Sequence, residues 1–140
     1  MDTITAILQS LGSGLPILLL HFLTTLLLLA LGALCYMGIT PFHERTLIVG
    51  GNNAAGLVLA GTLIAIAIPL AAMLATSHIW LDIVIWGLVA VVLQLATFVI
   101  AVAVFRNIRV LIEAGNVAAA AALVGVQLAV ALLNAGAMSG

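Results

Sequence analysis

Charge is what this sequence has least of. Only 5% of its 140 residues are Asp, Glu, Lys or Arg, and lysine is absent. Soluble domains carry about 25% charged residues, and a water-soluble chain of this length needs a polar shell that this one cannot build. With 66% of residues hydrophobic, the composition describes an integral membrane protein, long enough for one domain. The 3 cations are all arginine. That is too few to line a phosphate backbone, which excludes nucleic acid as a partner. It excludes a polybasic lipid-binding segment as well. A lone cysteine, Cys35, leaves no intrachain disulfide, and inside an apolar run it is a small filler. Residues 1–14 carry Asp2 and no cationic stretch. They lead into an apolar run too long for a signal sequence, so they are expected to be a native first segment.

What is present is long apolar runs. Spans are expected at about 15–36, 53–75, 80–105 and 116–137, each near the 20 or so apolar residues that cross a bilayer as a helix. Before them, residues 1–14 read either as a loose tail or as a short interfacial helix with Ile4, Ile7, Leu8 and Leu11 on one face. Pro16 suits the first turn of the first span. Gly38, Thr40 and Pro41 end that span, and Pro69 should kink the second one. Thr76-Ser77-His78 forms a polar turn. Trp80 and Trp86 then fall at a membrane–water boundary, and Asp82 in a helix first turn. Between the third and fourth spans, Phe105, Ile108 and Ile112 share one face and Arg106, Arg109 and Glu113 another. That pattern predicts a helix running along the membrane surface.

One stretch occurs twice. Arg45-Thr-Leu-Ile-Val-Gly-Gly-Asn-Asn-Ala-Ala55 returns 64 residues later as Arg109-Val-Leu-Ile-Glu-Ala-Gly-Asn-Val-Ala-Ala119. The match runs on into the following spans, where Gly61, Ala65, Ala67 and Ala71 correspond to Gly125, Ala129, Ala131 and Ala135. Low complexity explains some paired alanines, but not Arg, Leu-Ile and Gly-Asn kept in register. The expected architecture is therefore all-α and polytopic, with four transmembrane helices arranged as two helical hairpins, residues 15–75 and 76–140. An even number of spans per unit makes the repeat parallel, with its pseudo-two-fold along the membrane normal. All three arginines lie on the segments that carry the repeated stretch. Cytoplasmic loops are the ones enriched in Arg and Lys, so both copies are expected in the cytoplasm and both termini outside it.

Candidate functional residues fall into three groups. Gly51-Asn52 and Gly115-Asn116, with Glu44 and Glu113 nearby, read either as helix breaks and caps duplicated with the unit or as a paired polar site at two helix starts. Arg45, Arg106 and Arg109 are candidate contacts for a partner or for headgroups. Gln94, Gln127 and Thr62, together with Thr24 and Thr25, lie deep in their spans. Amides there either join helices, at about 0.6 kcal/mol per bond, or line a pathway. Only the second unit has glutamine at these places, since Ala30 and Leu63 stand in the first. Small-xxx-small pairs at Gly61/Ala65 and Gly125/Ala129 let backbones approach, either between these helices or between protomers. His43-Glu44 makes a poor chelate alone, so no metal and no cofactor are expected. With no nucleophile–base pairing and no phosphate-cradling loop, an enzyme is not expected either.

Three stretches carry a resemblance to a known family. They are Thr40-Pro41 with Glu44 and Gly51-Asn52-Asn53-Ala54-Ala55; Leu81-Asp82-Ile83 with Trp86-Gly87-Leu88-Val89-Ala90; and Ile112-Glu113-Ala114-Gly115-Asn116-Val117-Ala118-Ala119. Together the chain resembles a bacterial membrane family known as domain of unknown function 350, the YjfL-like proteins, from about Pro16 onward. The resemblance implies a four-helix inner-membrane protein built from a duplicated unit, a partner in envelope-associated systems rather than an enzyme. It points to Glu44, Asn52, Asp82, Glu113 and Asn116. Val49 stands where the second copy has Glu113, so two acids at equivalent places are not available. The expected function is that of a small homo-oligomeric component in the lipid bilayer that meets a cytoplasmic or membrane protein partner. The alternative is an oligomeric channel for a small solute or ion.

Overall fold

A computed structural model describes residues 2–140. Its helices are α1 (Thr3–Ile39), α2 (Glu44–Val49), α3 (Asn53–Thr76), α4 (Trp80–Val104), α5 (Ile108–Glu113) and α6 (Val117–Ser139), with no strand among the described residues. The four long helices, α1, α3, α4 and α6, are long and apolar enough to cross a membrane. Bilayer hydrocarbon offers no partner for a free N–H or C=O, so an apolar chain keeps its backbone bonds inside helices.

α1 departs from expectation. Residues 1–14 were expected as a tail or a separate interfacial helix, but from Thr3 onward they continue into the span without a break. Pro16 therefore lies inside the helix rather than in its first turn. One proline removes one backbone bond and Gly12 and Gly14 only weaken the run, so nothing in the stretch forces an end. The 37 residues of α1 reach about 55 Å at 1.5 Å per residue, against about 30 Å of hydrocarbon. Its buried residues, Leu28, Gly32 and Tyr36, all belong to the C-terminal half. The helix expected between the third and fourth spans is present as α5, over Ile108–Glu113 alone. Asn107 adopts a left-handed conformation, φ 61°, and separates α4 from the six-residue α5. The expected faces are kept: Ile108 and Ile112 are buried, while Arg109 and Glu113 pair in solvent at 2.9 Å.

The helix bounds recur in step with the sequence. α2 and α5 are each 6 residues long and start at Glu44 and Ile108; α3 and α6 start at Asn53 and Val117. Each short helix closes in the same way. Gly51 (φ 83°) and Gly115 (φ 79°) take the left-handed conformation that lets a helix end turn back on itself. The Asn52 N–H then reaches the Leu47 carbonyl at 2.8 Å, and the Asn116 N–H reaches the Leu111 carbonyl at 2.9 Å. Those two asparagines next cap the following helices, their side-chain oxygens accepting from the Ala55 and Ala119 N–H groups.

α3 and α6 form the most intimate pair in the bundle. A Cβ placed on Gly61 would stand 2.4 Å from a Val124 methyl, so only glycine permits this approach. Ala54, Ala55 and Val58 of α3 and Ala120 and Leu123 of α6 are buried in one core cluster. α4 packs on α1, α3 and α6, whereas α1 makes no comparable contact with α6. Tyr36 of α1 meets Phe98 of α4 edge to face, ring centroids 4.8 Å apart, and anchors a core cluster at the arginine-bearing end with Phe42, Ile108 and Ile112.

Candidate functional site

Helix starts α3 and α6 come together at the arginine-bearing end, and the two repeated Gly-Asn pairs come with them. The Asn52 side-chain amide crosses from one half to the other. Its Nδ2 donates to the Ile112 carbonyl at 2.8 Å and to the Glu113 carbonyl at 3.1 Å, while its oxygen caps α3. This satisfies the last carbonyls of α5, which a helix end leaves without partners. Asn116 makes only its cap, to Ala119 at 3.0 Å, and is exposed. An open cavity of about 420 Å³ lies over this junction, bordered by Gly51, Asn52, Glu113 and Gly115. Of the six residues grouped by sequence, these four share the cavity. Asn116 does not border it, and Glu44 opens into a different one.

Glu44 goes inward. It is the first residue of α2 and only 4% exposed, at a place where the other half has the buried Ile108. Phe42 beside it is buried too. The arginines behave differently: Arg45, Arg106 and Arg109 all stay at the surface, and among the described residues only Arg109 forms an ion pair. Held in solvent, that pair contributes little, well under 1 kcal/mol.

Of the deep polar residues, Gln94, Gln127 and Thr62 are buried. The Gln94 amide donates to the Gln127 backbone carbonyl at 3.3 Å, joining α4 to α6. Thr24 and Thr25 bond their own helix at the carbonyl four residues back. Thr24 also accepts the Trp80 indole N–H at 2.8 Å, which ties α1 to the start of α4. Among the described residues no group of three His, Cys, Asp or Glu side chains converges in a way that could hold a metal. The residue that sequence reasoning passed over is Tyr36, read only as the end of a span. It is the one tyrosine in the chain, wholly buried, and lies four and eight residues before Thr40 and Glu44. A lone phenol inside an apolar run was the available signal, since a buried hydroxyl normally has a partner.

The chain is 40% identical over 63 residues to the UPF0719 inner membrane protein YjfL of Escherichia coli (strain K12), and equally to that of Escherichia coli O157:H7. The aligned stretch is 45% of this chain and 48% of each relative, so the match spans about half the length of the curated relatives. No solved structure matches. The family described as Domain of Unknown Function (DUF350) matches residues 10–138. The chain belongs to that family.

Proposed function

We propose that this chain is a multi-pass inner-membrane protein, built from two parallel hairpins, that self-associates through α6 and serves as a structural and interaction component of an envelope-associated system. One observation carries the self-association. Gly61 and Gly125 hold equivalent places in the repeat, but Gly61 is pressed into the α3–α6 seam while Gly125 is exposed with nothing within 4 Å. Ala121 and Ala129, four residues to either side of Gly125, are exposed as well. Small residues at this spacing on a lipid-facing surface let a second helix approach closely. A two-fold dimer would set α6 against α6. The parallel repeat draws support from the recurring helix bounds and glycine turns. Placement in the inner membrane rests on the named relatives, and the gathering of the arginines at one end supports a cytoplasmic side there. From there Arg45 and Arg106 are free to meet a partner. The same lack of a nucleophile–base constellation supports a non-enzymatic role.

A conductor is the weaker reading. The bundle centre is filled where Gly61 meets Val124, and the Gln94 amide bonds to α6. Any pathway would then have to run between protomers. Native mass spectrometry from lipid nanodiscs, paired with affinity capture from membranes, tests the proposal. It expects a dimer or larger assembly that Gly125→Ile reduces to the monomer, and a captured partner that Arg45→Ala or Arg106→Ala releases. A wild-type monomer, or solute flux in reconstituted vesicles, would argue for the other reading or for neither.

A further inference from the structure

Three oxygens near the arginine-bearing end are enclosed and unbonded. They are the Tyr36 hydroxyl, the Thr62 hydroxyl and Oε1 of Glu44, from α1, α3 and α2. Their residues are 0%, 2% and 4% exposed. Glu44, Thr40 and Thr62 are all neighbours of the Tyr36 hydroxyl, yet none of them completes a hydrogen bond with it. Buried hydroxyls and carboxylates normally do find partners, and an orphan is costly.

The Thr62 hydroxyl is unusual for a second reason. Thr24, Thr25, Thr40, Thr76 and Thr97 all donate to the carbonyl four residues back, the ordinary way for a threonine to satisfy itself in a membrane helix. Thr62 does not, and its oxygen remains free beside the tyrosine. The other half of the chain has none of these groups: Ile100, Val126 and Ile108 stand at the places of Tyr36, Thr62 and Glu44. A polar cluster has thus been fitted into one of two otherwise similar apolar positions.

A carboxylate with one oxygen enclosed and unbonded favours a positive partner. No arginine or histidine pairs with Glu44 among the described residues. The charge required is a single one, because one carboxylate and no second acid are present, and divalent cations draw on more oxygen ligands and more charge. An open cavity of about 580 Å³ leads to Glu44 past Thr40, His43 and Arg45. We propose that Glu44, with the Tyr36 and Thr62 hydroxyls, forms a binding site for one small monovalent cation, a sodium ion, entered from the arginine-bearing end. The titratable group beside the carboxylate is Tyr36 from α1, and His43 and Arg45 line the cavity that reaches it. α3 contributes only the neutral Thr62. The site goes beyond the interaction role and does not depend on it.

The test uses the full chain in lipid nanodiscs and N,N′-dicyclohexylcarbodiimide, an apolar reagent that condenses with protonated carboxyl groups shielded from water. Mass spectrometry reads the adduct at Glu44. Labelling that slows when sodium replaces N-methylglucamine at fixed pH and ionic strength identifies a sodium site. Labelling that changes with pH alone, whatever the salt, reports only the reagent's need for a protonated carboxyl and overturns the proposal. A second measurement follows the thermal unfolding midpoint by Trp fluorescence. Sodium should raise the wild-type midpoint by about 3 °C or more, and Glu44→Gln should lose that dependence. Tyr36→Phe, which keeps the ring against Phe98, should need several-fold more sodium for the same shift. Absence of labelling at Glu44, or labelling and a wild-type midpoint that do not respond to sodium, overturns the proposal.

Discussion

Gly61→Ala is the sharpest perturbation available, because its counterpart in the other half serves as the control. The added Cβ would fall 2.4 and 2.5 Å from the two Val124 methyls and 3.0 Å from the Val124 Cβ. Rotating Val124 moves the methyls but not its Cβ, and a valine in a helix has essentially one comfortable rotamer. The α3 and α6 backbones must therefore separate. Overpacking of this kind costs about 1–3 kcal/mol, while replacing glycine by alanine in a helix returns about 0.5–1 kcal/mol. The net expectation is a loss of about 1–2 kcal/mol. Gly125→Ala meets nothing within 4 Å, so it keeps the helix gain alone and is neutral or slightly stabilising. The assay is reversible unfolding in mixed detergent micelles, dilute enough that each micelle holds one protomer. Val124→Ala removes both methyls and should rescue part of the Gly61→Ala loss, with a coupling of about 1 kcal/mol. Equal stabilities for Gly61→Ala and Gly125→Ala, or no rescue, would refute the close packing of α3 on α6.

Two further substitutions separate the halves and the competing roles. Asn52→Ala removes a helix cap worth about 1 kcal/mol and also the amide bonds to the Ile112 and Glu113 carbonyls. It should cost about 1 kcal/mol more than Asn116→Ala, which loses a cap alone, in the same unfolding assay; equal losses would contradict the cross-link. Gln94→Leu deletes a 3.3 Å bond to Gln127 together with a buried orphan oxygen. Its stability should stay within about 1 kcal/mol of wild type, and vesicles carrying either protein should be equally tight to ions and small solutes; a flux present in wild type and lost in the variant would restore the conductor reading.

The spans were legible because apolar length is a strong signal, and α3, α4 and α6 end within two residues of where the runs of sequence place them. The extent of α1 was not. Glycine, serine and proline at residues 12–16 look like punctuation, but a helix with lipid or its own backbone as the alternative runs through them. The faces were harder still. In a soluble helix, apolar periodicity marks the buried side, whereas here Leu27 and Leu133 face outward and are as apolar as anything inside. What distinguishes inside from outside is size and polarity, as at Gly61, Ala65 and Gln94. Even size fails at Gly61 and Gly125, identical in the repeat and opposite in environment, because Val124 of α6 closes over Gly61 while the matching residue of α3 is the small, exposed Ala60. The Gly-Asn pairs were visible as a place. That Asn52 and not Asn116 reaches across to the other half, and that Glu44 turns inward toward Tyr36, depends on packing between separate helices.

Association through α6 is tested most directly by disulfide trapping in native membranes. With Cys35 replaced by alanine, a single cysteine is introduced at Gly125 or, separately, at Gly61, and a mild oxidant is added. Gly125→Cys should yield a covalent dimer on non-reducing gels and Gly61→Cys only monomer, since residue 61 is enclosed by Val124 of its own chain. Dimer from Gly61→Cys, or monomer from both, would contradict an outward-facing α6 as the surface on which protomers meet.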